Sequence, residues 1–341
     1  MNKKKQINWI NCTKFMAILA VILDHSNDIL YGDDRIKKMT FYSVSLFIIL
    51  SGMLCYRSDE KNNLPYIQTT LKSLSKIVPA YLVATFIYQV ATYKYFNFLT
   101  YAEYLIGFNA SNPFYFVLLY IQLMLVNKFM YNILAKKAGK LTKMKDFVWG
   151  GVFLCISILT TKYSNILGIY GGGGKLLGGT YIFIFYIGMV LSKYNIFSKN
   201  NWKKSVFCTC VFGVLWVVWN IYSINNWLVI DDKIPCGWGI NPPGITLMIS
   251  ALFMLFFCYG VFTLLERHKY TIWITDILGW IGRHTLYIFL YHRFFLDFIL
   301  SRHVPIDNRW IKWVVYLSVM IFGSIFIEYI FVKFKEYLKN G

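Results

Sequence analysis

Residues 9–30 read WINCTKFMAILAVILDHSNDIL. The stretch from Phe15 to Leu23, FMAILAVIL, carries no charge, and with its apolar flanks it reaches the length of about 20 residues that a helix needs to cross a bilayer core. Comparable blocks recur along the chain at 40–56, 73–93, 113–134, 146–162, 180–193, 204–224, 244–265, 277–300 and 310–332, separated by short stretches rich in Lys, Asn and Gly. The composition agrees: 57% of residues are hydrophobic, 15% are charged and the mean hydropathy is +0.49. The expected fold is therefore all-α, a polytopic membrane bundle of about ten transmembrane helices, with residues 1–341 forming a single transmembrane domain. The segment 101–108 reads as a short half-helix or interfacial piece between two spans.

A net charge of +19 in a soluble chain would suggest nucleic acid. The placement of the charge argues instead for a membrane and against nucleic acid. With the N-terminus in the cytosol, about two Lys or Arg fall on the inner side for each one outside, the positive-inside pattern. An even number of spans then puts both ends inside. Lys3 to Lys5 ahead of an apolar run resembles the start of a secretory signal, but Asp24, His25 and Asp28 interrupt the end of that run, so the segment reads as a retained span. The cysteines are scattered, show neither a disulfide framework nor a zinc spacing, and give no reason to expect a metal.

Ionisable side chains within a span are costly and mark function. The first span holds Lys14, Asp24, His25 and Asp28. Lys14 and His25 are eleven residues apart, about three helical turns, so both lie on one face about 16 Å apart along the axis. Asp28 falls near that face and is expected to accept the imidazole N–H. Asp24 points about 100° away from His25 and is the weaker candidate. A neutral His steadied by a carboxylate is the arrangement of a general base.

At this point the chain resembles a known family, the acyltransferase 3 group of bacterial membrane O-acyltransferases, which includes exopolysaccharide and fucose-type O-acetylases. Four motifs carry the resemblance in order: KFMAILAVILDH (Lys14 to His25), FIILSGM (Phe47 to Met53), LKSLSKIVPAY (Leu71 to Tyr81) and IGRHTLYIFLYH (Ile281 to His292). The chain departs from the family pattern with Lys14 where Arg is common, with Ser73 at a site often filled by Arg, and with Asp24 immediately before the His.

The resemblance implies an acyl-CoA-dependent O-acyltransferase of the bacterial cytoplasmic membrane. It would move an acyl group, usually acetyl from acetyl-CoA, to a hydroxyl of a cell-surface sugar or polysaccharide precursor. His25 would be the catalytic base, with Asp28 beside it. Lys14, Lys72 and Lys76, all toward the cytosolic side, would hold the donor phosphates. Ser51 and Gly52 lie at similar depth, where small side chains would let the donor approach closely. Tyr287 and His292 are candidates for binding the acceptor or polarising the oxyanion.

The competing class is a sugar or lipid-linked glycan transporter or flippase, in which intramembrane charges and Gly-rich breaks also occur. No inverted repeat is visible in the sequence. The run Gly171 to Gly174 followed by Lys175 imitates a phosphate loop, but Leu176 stands where Ser or Thr should follow the Lys. The stretch 225–244, with Trp227, Asp231, Asp232 and Trp238, suits either sugar binding or an interfacial aromatic belt. Glu328 is expected to form a salt bridge or a helix-packing hydrogen bond, and His268 and His303 read as loop residues.

Overall fold

The computed structural model describes residues 8–30, 32–62, 64–134, 140–162, 179–197, 201–225 and 245–340, and contains no strand among them. The loop 163–178 with its glycine run, and residues 226–244 of the second outer stretch, lie outside the described residues. The helices run in order α1 (Asn8–Leu30), α2 (Asp34–Thr40), α3 (Ser43–Asn62), α4 (Tyr66–Tyr93), α5 (Phe98–Gly107), α6 (Tyr115–Leu134), α7 (Lys140–Lys162) and α8 (Gly179–Lys193). They continue with α9 (Trp202–Phe207), α10 (Gly213–Asn225), α11 (Ile245–Leu265), α12 (Ile272–Ile281), α13 (Thr285–Phe294), α14 (Ser301–His303) and α15 (Arg309–Asn340). A π-turn, Cys208–Phe212, joins α9 to α10 without a break, and a second, Phe295–Leu300, continues α13 into α14.

Six of the resulting rods, Arg35–Asn62, Tyr66–Tyr93, Asn112–Leu134, Trp202–Ser223, Thr246–Leu265 and Arg309–Leu338, are long and apolar enough to cross a membrane. The other four predicted spans are helical as well. α1 and α7 are interrupted by polar residues, α8 is only 15 residues long, and 277–300 contains a break. Exposed Val214, Val217, Val218 and Ile221 on α10, and Val314, Phe322, Phe326 and Ile330 on α15, form apolar surfaces suited to lipid.

α1 is central: Trp9, Cys12, Ala17, Ile18 and Ile22 are fully or almost fully buried, and the helix packs against α3, α11, α12 and α13. This explains how it tolerates polar residues, since its neighbours are other helices and not hydrocarbon. α5 has no buried residue and folds back on α4, where the Tyr81 hydroxyl donates to the Tyr104 and Leu105 carbonyls.

Two glycine contacts set the framework around the site. A Cβ on Gly52 would collide with the Phe185 carbonyl, and one on Gly188 with the Ile49 carbonyl, so α3 and α8 cross with their backbones touching. Gly52 therefore admits a helix, where the sequence suggested room for a donor. Just past the end of α12, a Cβ on Gly282 would collide with the Asn11 carbonyl of α1. That contact coincides with the helix break between Ile281 and Thr285, which replaces the start of the predicted continuous span 277–300. From this break α13 runs beside α1.

Candidate active site

Lys14, on the inner face of α1, opens into a cavity of about 380 Å³ bounded by α1, α3, α4, α6 and the α12–α13 turn. That volume lies within the range of about 300–1,000 Å³ usual for small-molecule sites. Lys72 and Lys76 project from α4, one turn apart, and Arg283 comes from the turn after α12. Ser51, Ser73 and Tyr120 add hydroxyls to the wall. Lys14, Lys72 and Lys76 form no ion pair with a described residue, and Lys76 acts repulsively on Lys14. The carboxylate in the lining, Asp59, accepts a hydrogen bond from Asn127 at 2.9 Å. Mutually repelling cations in a partly apolar chamber are costly unless an anion joins them, and phosphate is well suited to do so.

The opposite end of α1 is arranged differently. His25 Nδ1 lies 2.7 Å from His292 Nε2, with the two rings within 6° of parallel and their centroids 5.0 Å apart. A nitrogen contact this short between near-parallel rings is an edge-to-edge hydrogen bond, not a face stack. His292 is fully buried on α13, and its Nδ1 faces the Ile288 carbonyl at 3.0 Å and the Phe289 carbonyl at 2.9 Å. Carbonyls only accept, so His292 Nδ1 carries a proton. A buried imidazole with no carboxylate at hand is neutral, so its Nε2 is bare and takes the proton of His25 Nδ1. This assigns the tautomer of His25: Nδ1–H toward His292, and a free lone pair on Nε2.

The partner of His25 is thus not Asp28. Asp28 is exposed, and its Oδ1 is 3.4 Å from Asn27 Nδ2. The ring turns instead toward α13, because His292 offers an acceptor in the bundle interior. Asp24 stands on the other side of the ring, its Oδ2 3.8 Å from His25 Nε2. Both ring nitrogens of His292 are occupied, which leaves it no free nitrogen for a substrate. Tyr287 is buried between Tyr291 and Phe331, away from the cavity lining.

The cavity lining includes Lys14, Ser51, Lys72 and Lys76 but stops short of His25. Part of its wall is aromatic: Phe47 lies 6.2 Å from Phe116, and Phe116 lies 5.0 Å from Phe289, ring to ring. Phe289 belongs to both regions, since its side chain lines the cavity and its carbonyl holds His292. Arg283, Tyr120 and Phe289 were not among the residues singled out from the sequence, although Arg283 and Phe289 lie within the fourth motif.

A family model described as an acyltransferase domain matches residues 7–330, nearly the whole chain and all four motifs. The chain belongs to the acyltransferase 3 family. No curated protein and no solved structure matches it significantly. As an acyltransferase 3 member it is a multi-pass membrane acyltransferase, with an acyl donor and an acceptor as its substrates. The transporter reading has no comparable support. Glu328 of this acyltransferase accepts from His284 Nδ1 at 2.8 Å, tying α15 to the start of α13. His268 is exposed in the turn between α11 and α12, as expected; His303 is exposed too, but it ends α14 and is helical where a loop was expected.

Proposed function

We propose that this protein transfers an acyl group, acetyl by family resemblance, from acyl-CoA to a hydroxyl of a cell-surface sugar or polysaccharide precursor in the bacterial cytoplasmic membrane. The observation that carries the reading is the chain of short contacts from His25 Nδ1 through His292 to two backbone carbonyls, which puts the His25 proton on Nδ1 and leaves Nε2 to act as base. The cationic cavity supports a CoA donor whose phosphates meet Lys14, Lys72, Lys76 and Arg283. The positive-inside pattern puts these residues on the cytosolic side, where CoA is found.

In the reaction, His25 Nε2 takes the hydroxyl proton as the acceptor oxygen bonds to the thioester carbon. The C–S bond breaks, and the proton passes to the departing thiolate, giving CoA and the ester. His292 holds the imidazole in the tautomer with Nε2 bare and shares the charge that forms on it. Phe289, which lines the cavity and whose ring lies 6.2 Å from that of His292, connects the donor cavity with the histidine pair.

Purified protein given acetyl-CoA and glycan from a deletion strain should release CoA and add acetyl groups detectable by mass spectrometry. His25→Ala should bind CoA normally and transfer roughly 10²–10⁴-fold more slowly. Wild-type transfer by His25→Ala would overturn the reading.

A further inference from the structure

Next to the bare Nε2 of His25 lies a carboxylate that the mechanism above does not use. Asp24 Oδ2 is 3.8 Å from Nε2, beyond hydrogen-bond reach, and neither atom has a proton to offer the other. Asp24 Oδ1 is shielded from solvent and has no hydrogen-bond partner among the described residues. The two side chains are each about a fifth exposed, 23% for Asp24 and 22% for His25, whereas His292 behind them is sealed at 0%. Lys37 and Arg293 are close enough to act on Asp24 electrostatically, but Arg293 Nε is engaged by Asp297 at 3.0 Å. The result is a pair of adjacent acceptors, Oδ2 and Nε2, on two partly exposed side chains, with the buried Oδ1 behind them fixing no competing donor. Unpaired acceptors held this way are costly to leave unsatisfied.

Resting on the reading of His25 as the base, we propose that Asp24 and His25 form a two-point seat for a vicinal diol, so the acceptor is a hydroxyl flanked by a second free hydroxyl. The oxygens of a gauche diol are a hydrogen-bond length apart, which lets one donate to Nε2 and its neighbour to the Asp24 carboxylate. The hydroxyl on Nε2 gives up its proton there while its oxygen bonds to the thioester carbon and the C–S bond breaks. The neighbouring hydroxyl keeps its proton and remains bound to Asp24. Asp24 is unchanged by the reaction and faces the imidazolium while it exists. A lone hydroxyl fills half the seat and leaves the carboxylate unpaired. Sugars meet this requirement and simple alcohols do not.

The test compares trans-1,2-cyclohexanediol with cyclohexanol as acceptors for the purified full-length protein, with acetyl-CoA as donor and CoA release as the readout. Wild-type protein should favour the diol in kcat/KM by about tenfold or more, the range of a hydrogen bond to a charged group. Asp24→Leu, which suits a membrane helix, should bring the ratio to within about threefold, because the diol loses more than cyclohexanol does, with CoA affinity unchanged. Asp24→Asn, which retains an acceptor oxygen without the charge, should fall between the two. A wild-type ratio near that of Asp24→Leu, or an Asp24→Leu protein as selective as wild type, would overturn the diol seat, because only water would then occupy the gap. Those results would leave the base assignment intact, which fails separately if His25→Ala releases CoA as fast as wild type.

Discussion

In its N-terminal half α1 presents Lys14 to a chamber that Lys72, Lys76 and Arg283 also line; in its C-terminal half it presents His25, whose ring is held through His292 by two backbone carbonyls. The first region collects positive charge, with Lys14, Lys72 and Lys76 in no ion pair among the described residues, and the second is set in place before any ligand arrives. This is the division expected when binding energy is gathered at a remote, flexible part of a donor and spent at a reacting centre that must not move. Substitutions in the two regions should therefore fail differently, the first in affinity and the second in turnover.

The largest effect is expected at His25. His25→Ala should lower kcat by roughly 10²–10⁴-fold while leaving the dissociation constant for CoA within about twofold, measured by turnover and by calorimetry on the same preparation. A matched loss of CoA affinity would erase the contrast between the two ends. His292→Leu should come next, lowering kcat by about 10²-fold, because the imidazole loses the acceptor that fixes its tautomer. Its stability should change less, since Leu fills a buried apolar setting. Lys14→Ala should instead weaken CoA binding by about tenfold, the scale of one charge-assisted contact, with the smaller effect on kcat. Asp28→Asn sharpens the comparison from the other side: an exposed carboxylate away from the ring should alter turnover by less than about twofold.

The helical class was legible because long apolar runs leave the chain few alternatives, and the first span was legible in detail because an eleven-residue spacing is itself a statement about one helix face. Lys14, Lys72 and Lys76 share a cavity as the cytosolic clustering of charge implied. The pairing of His25 with His292 spans 267 positions in the chain, and no local period encodes such a contact. It depends on the break at Gly282, which seats α12 against α1 and sends α13 alongside it. Without that partner in view, helix-face arithmetic favoured Asp28, the carboxylate that the spacing puts nearest the same face. Gly52 was misjudged for a related reason: a small residue signals close approach without saying of what, and here the visitor is α8. Gly52→Ala, which forces its methyl group onto the Phe185 carbonyl, should lower thermal stability by about 1–3 kcal/mol without altering CoA affinity in the protein that remains folded.

The account stands on the proton positions in the two imidazoles. Nitrogen-15 NMR of histidine-labelled protein in lipid nanodiscs, with His25→Ala and His292→Leu used for assignment, reads those positions directly. The account expects both rings neutral, each carrying its proton on Nδ1, with Nε2 of His25 unprotonated. A His25 ring protonated on Nε2 and bare on Nδ1 would contradict it, because the base would then have no lone pair to offer an acceptor hydroxyl.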